Sequence, residues 1–107
     1  MTEKYIFLGL LLLAVILEVA ADILFKKWTI NGKNLLLYIG LAVYFVGTIF
    51  WALSLRHDYL AKAISLFTVL NLIIIVGVGI FVFKEDISLI NKAGIALGIV
   101  SVILIEL

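Results

Sequence analysis

Polar residues in this chain are sparse and gathered into short clusters, and the segments between them are almost wholly apolar. Four such segments stand out, at about 5–25, 35–55, 60–83 and 89–107. A helix needs roughly 20 residues to cross the ~30 Å hydrocarbon core of a bilayer, and each segment has about that many. The separators are Asn31-Gly32-Lys33-Asn34, Arg56-His57-Asp58 and Lys84-Glu85-Asp86. Asn-Gly is a turn dipeptide, which supports the first boundary. Strands would show apolar and polar residues alternating, and no such alternation is present. In lipid every backbone group must be satisfied internally, which leaves helices for runs this uniform. The pattern predicts an all-α integral membrane protein, with residues 1–107 forming one domain of four transmembrane helices joined by tight hairpins.

Composition narrows the class further. The chain has 107 residues, 66% of them hydrophobic, too many for a soluble domain of this length to bury. With no cysteine there is no disulfide framework, thiolate metal site or cysteine nucleophile, and the single His57 does not build a histidine metal site within one chain. No basic run tracks a nucleic acid, no P-loop couples the chain to ATP, and no nucleophile–base pair suggests an enzyme. The first apolar run, about 20 residues with no small-residue cleavage pattern, reads as a retained helix rather than a signal peptide. Lys4, Arg56 and Lys62 fall on one side of the membrane, and Lys26, Lys27, Lys33, Lys84 and Lys92 on the other. That small bias favours termini outside and is compatible with insertion in both orientations.

Two carboxylates break the first apolar run, Glu18 and Asp22. An ionised carboxylate at the centre of a membrane helix costs about 2.5–3.5 kcal/mol even on the lenient insertion scales, so such residues mark function. Leu11, Ala14, Glu18, Asp22 and Phe25 recur at steps of three and four and share one helix face. Two carboxylates one turn apart repel when both are ionised, which suits the pair to hold a proton in exchange for a cation. The competing reading of Asp22 is a solvated residue near the helix end, or one paired with Lys26 at i+4.

The other helices add polar and small groups. In the second, Gly40, Tyr44, Gly47, Thr48 and Trp51 form one stripe. A ring face and a hydroxyl beside a carboxylate suit a hydrophobic cation, whereas the plainer reading gives the glycines to helix packing and Trp51 to an interfacial belt. Ser65, Thr68 and Asn71 follow at i+3 in the third helix, and then Gly77-x-Gly79, where the helix has freedom to bend. The fourth holds Gly94-x-x-x-Gly98 with Ser101 on the same small face, a packing motif that points to a dimer seam.

These features together resemble the small multidrug resistance family. The segment Glu18-Val19-Ala20-Ala21-Asp22-Ile23-Leu24-Phe25-Lys26 is similar to the family's first helix, where a Glu-Val pair precedes a lysine at the helix end. Tyr44 falls where its second helix offers a binding-site tyrosine, with Trp51 further along. Phe83-Lys84-Glu85 before Ile87-Ser88-Leu89 is similar to its third junction, and Gly94 and Ser101 match the dimer seam of its last helix. In the third helix the family presents a tyrosine, a tryptophan and a Gly-x-Gly step, and the corresponding positions here are Ile64, Phe67 and Val69-Leu70-Asn71.

The resemblance implies an antiparallel homodimer in the cell (inner) membrane, without a cofactor. Its membrane-embedded glutamates would bind protons and a small or lipophilic cation in turn, such as a quaternary ammonium, guanidinium-type or polyamine compound. The residues so implicated are Glu18, Asp22, Tyr44, Trp51, Phe67 and Asn71, with Gly94, Gly98 and Ser101 at the seam. Leu60-Ala61-Lys62-Ala63-Ile64-Ser65-Leu66 also looks like the wider drug/metabolite transporter superfamily. That superfamily includes small paired subunits thought to flip aminoarabinose-linked lipid carriers, so a lipid-flippase subunit is the alternative expectation.

Overall fold

The computed structural model describes residues 2–106, and side-chain environments from 3 to 105. Among them the chain is all-helical: α1 (Thr2–Asn31), α2 (Asn34–Ser54), α3 (Leu60–Phe81) and α4 (Leu89–Glu106). The expected helix end at Leu107 lies outside the described residues. Three helices, α1 to α3, are long and apolar enough to cross a membrane. The apolar part of α4, Leu89–Ile105, is shorter than the other three. Of the four transmembrane helices expected, three thus have membrane-spanning length and composition among the described residues, and the fourth is a shorter apolar helix. α1 runs longer than its apolar stretch: its 30 residues reach about 45 Å, and the surplus carries Lys26, Lys27 and Trp28 beyond the apolar run.

The chain divides into two compact units, Met1–Tyr59 and Leu60–Leu107. The first is a hairpin of α1 and α2. Gly32 ends α1 at φ 72°, a left-handed conformation that glycine adopts without a Cβ penalty, and its N–H donates to the Trp28 carbonyl at 2.8 Å. Lys33 then returns to extended backbone and Asn34 opens α2. A two-residue reversal leaves the helices no choice but to run back along one another. Indole Nε1 of Trp28 donates to Asn34 Oδ1 at 3.3 Å across this turn.

The two helices meet through small residues. Gly40, Gly47 and Ser54, spaced by seven, are the buried positions of α2, and Ala14 and Ala21, also seven apart, are buried on α1. Seven residues are almost two helical turns, the spacing of a shallow helix–helix seam. In a bilayer, lipid tails are as apolar as leucine, so this seam is held by close van der Waals packing rather than by a hydrophobic force. A Cβ on Gly40 would lie 2.7 Å from the Phe25 ring, and one on Gly47 would lie 3.0 Å from Leu17 Cβ. The glycines therefore set how closely α2 approaches α1. Faces away from the seam, such as Leu41, Phe45 and Ile49, are exposed and apolar, as a lipid-facing surface requires.

The second unit pairs α3 with α4. α3 runs unbroken through Gly77 and Gly79 to Phe81. The connection then folds back: Lys84 takes φ 55°, the Glu85 N–H donates to the Gly79 carbonyl at 2.9 Å, and the Glu85 carboxylate lies over Gly79. Gly79 makes room for this returning loop. Ser88 caps α4, its Oγ accepting from the Asn91 N–H at 3.1 Å.

Candidate functional site

Glu18 lies in the seam of the first unit and is 8% exposed. Periodicity places it there: Leu11, Ala14 and Val15 around it are also buried, and the helix cannot bury that stripe without the carboxylate. From α2, the Thr48 hydroxyl reaches Glu18 Oε1 at 3.5 Å, the outer edge of hydrogen-bond range. The same hydroxyl donates to the carbonyl of Tyr44, one turn back, at 2.9 Å. Thr48 comes this close because its neighbour is Gly47, whose missing side chain would stand 3.5 Å from the same carboxylate oxygen and 3.6 Å from the Ala14 carbonyl.

The expected face of α1 is thus divided. Leu11, Ala14 and Glu18 are buried, while Asp22 and Phe25, one and two turns on, are half-buried. The Phe25 ring sits against Gly40 and beside Tyr44, with ring centroids 6.4 Å apart at a tilt of 43°. Tyr44 is 46% exposed, so its ring presents a free face next to the seam. Trp51 is half-buried, and its carbonyl accepts from Ser54 Oγ at 2.7 Å. Among the described residues no salt bridge is formed by Glu18, and its one hydrogen-bond partner is the neutral Thr48. A buried carboxylate with a hydroxyl partner and, among the described residues, no basic side chain paired to it has the chemistry to accept a proton or an incoming cation.

In the second unit, Ser65 and Thr68 of α3 line an open groove with Gly98 and Ser101 of α4, with Ile64 and Ile105 at its apolar walls and a volume of about 290 Å³. Ser65 donates to the Ala61 carbonyl at 2.7 Å and Ser101 to the Leu97 carbonyl at 2.9 Å, each within its own helix. Asn71 does not line the groove, and its Oδ1 is buried without a hydrogen-bond partner among the described residues. Phe67 is half-buried on the same helix. A Cβ added at Gly98 would lie 4.0 Å from Leu72 Cδ2 of α3, whereas one at Gly94 would meet nothing within 4 Å. The three small residues of α4 therefore divide, two of them turned to their own chain.

Two features were not singled out in the sequence. Thr48 appears there only as one member of a stripe, yet it is the side chain that meets Glu18. His57 Nδ1 lies 2.5 Å from Glu3 Oε2, linking the start of α1 to the loop after α2. Comparison of the chain with family models, with curated proteins and with solved structures finds no match.

Proposed function

We propose that the protein is a proton-coupled exporter of small or lipophilic cations, with Glu18 as the shared proton and substrate site. The observation that carries this reading is a carboxylate 8% exposed within a membrane-length helix, held only by a neutral hydroxyl. A permanent structural carboxylate would be expected to have a fixed cation beside it, since burying a lone charge is costly. A site that changes occupant needs the opposite arrangement. Deprotonated Glu18 captures a cation on one face of the membrane, and protonation releases it on the other. Tyr44 supplies an aromatic face along the entry to the seam, and Asp22 a second carboxylate that draws cations towards it. Trp51 of the same unit adds a second aromatic ring in this reading. The resemblance to the small multidrug resistance family supports the same activity. With it comes an antiparallel homodimer in the inner membrane, α4 spanning as the fourth helix and contributing its small-residue seam.

The test is charge movement by purified protein in liposomes. Guanidinium, quaternary ammonium and lipophilic cations are applied to wild type, Glu18→Gln and Asp22→Asn. Cation-evoked current is expected in wild type, lost in Glu18→Gln and present but weakened in Asp22→Asn. Proton-driven cation flux that survives in Glu18→Gln would overturn the mechanism. Silence of folded wild type across the whole panel would overturn the cation substrate and favour the lipid-flippase alternative.

A further inference from the structure

Thr48 stands between two acceptors and has one proton to give. Its Oγ1 is 2.9 Å from the Tyr44 carbonyl and 3.5 Å from Glu18 Oε1. A threonine hydroxyl carries one O–H and two lone pairs, so it cannot donate to both oxygens at once. It can, however, accept while it donates.

Resting on the proton-exchange reading of Glu18, we propose that Thr48 is a positioning residue whose hydroxyl turns between the Tyr44 carbonyl and the Glu18 carboxylate as Glu18 loses and gains its proton. When Glu18 is protonated, its O–H donates to Thr48 Oγ1 and the Thr48 O–H donates to the Tyr44 carbonyl. When Glu18 is ionised, it can only accept, and the Thr48 O–H turns to Oε1. The second carboxylate oxygen is then left for an incoming cation. Thr48 keeps its own proton throughout; the exchanged proton enters and leaves on Glu18 alone.

The geometry makes this rotation inexpensive. Tyr44 and Thr48 both lie inside α2, so the Tyr44 carbonyl already accepts the Thr48 backbone N–H in the helix ladder and is not orphaned when the hydroxyl leaves. In each state the Thr48 hydroxyl and the Glu18 oxygen that faces it are both hydrogen-bonded. Few other groups compete for the role. On α1 the other carboxylate in this stretch is Asp22. Within this unit the element packed against Glu18 is α2, which has no charged side chain and only the phenols of Tyr38 and Tyr44 to titrate.

The sequence permits a direct readout. Tyr44-Phe45 is the single Tyr–Phe step in the chain. Labelling tyrosine with carbonyl ¹³C and phenylalanine with amide ¹⁵N therefore isolates the Tyr44 carbonyl in a carbonyl–amide correlation spectrum. The full chain is held in lipid nanodiscs across a pH series, and glutamate ¹³Cδ labelling follows Glu18, assigned by its disappearance in Glu18→Gln. In wild type and Thr48→Ser the Tyr44 carbonyl resonance is expected to move in step with Glu18. In Thr48→Val, which keeps the shape and removes the hydroxyl, Glu18 still titrates and the Tyr44 shift is lost.

A Tyr44 carbonyl that ignores a titrating Glu18 in wild type overturns the proposal and leaves the exporter reading standing. So does a response that persists in Thr48→Val, because helix movement then explains it. A Glu18 that never titrates overturns the exporter reading and this proposal together.

Discussion

Gly47 decides whether α2 can bring Thr48 to Glu18, and replacing it by alanine tests the seam directly. A Cβ at this position would lie 3.0 Å from Leu17 Cβ and 3.6 Å from the Ala14 carbonyl. Neither atom is the end of a flexible side chain, so the strain cannot be relieved by a rotamer change. Carbon–carbon contacts relax near about 3.5–4.0 Å, so the facing helices must give by a few tenths of an ångström. Overpacking of this kind costs about 1–3 kcal/mol. Against it, alanine is favoured over glycine inside a helix by about 0.8–1.0 kcal/mol. The two terms oppose one another, so Gly47→Ala alone would be a poor test. Gly9→Ala supplies the reference: it gains the same helix preference where nothing lies within 4 Å. The difference between the two variants isolates the clash, and Gly47→Ala is expected to be less stable than Gly9→Ala by about 1–3 kcal/mol. Reversible unfolding in detergent, followed by the fluorescence of Trp28 and Trp51, measures it. The same separation takes the Thr48–Glu18 contact, already 3.5 Å, out of hydrogen-bond range, and the Tyr44 carbonyl should stop following Glu18. Equal stability of the two variants, within about 0.5 kcal/mol, would refute the claim that Gly47 sets the helix approach.

Two further outcomes follow from other contacts. At Gly79 an added Cβ would meet Glu85 Oε1 at 2.6 Å, but that oxygen is the far end of a flexible side chain and swings aside. Gly79→Ala is therefore expected to change stability by less than about 1 kcal/mol in the same unfolding assay, despite a nominally shorter contact than at Gly47; a larger loss would mean that the loop over α3 is rigidly held. The Glu3–His57 contact joins a side chain that is 68% exposed to one that is 23% exposed. Pairs this open to water contribute about 0–1 kcal/mol, so Glu3→Gln should lower stability by no more than that. Any loss at low salt should fade at high salt, and a salt-independent loss above about 1 kcal/mol would show a stronger clasp than exposure allows.

Much of the molecule was legible in the residue pattern. Long apolar runs specify helices because a bilayer offers the backbone no other partner. Asn31-Gly32 placed the first reversal, since glycine takes the left-handed φ of 72° found there. Steps of three and four put Glu18 on the buried stripe with Leu11 and Ala14. The fourth apolar run, about 89–107, begins where α4 begins, after the Ser88 cap, and its apolar part, Leu89–Ile105, is shorter than α1 to α3.

Composition and periodicity, then, were enough to establish an all-helical chain with membrane-length segments and a carboxylate on a buried helix face. They could not say which side chain meets that carboxylate. Periodicity tells which residues share a face of one helix; it carries no information on the register between two helices or on how closely they approach. Here both depend on Gly40 and Gly47 fitting against Phe25 and Leu17, and that fit brings Thr48, rather than Tyr44 or Trp51, to Glu18. The same holds for the other half of the chain. A Gly-x-x-x-Gly spacing identifies a small face on α4, but only packing turned Gly98 towards Leu72 and Ser101 into a groove with α3 while Gly94 stayed open. Local order follows from the solvent and the residue types; the pairing of side chains follows from how far two backbones can close on one another.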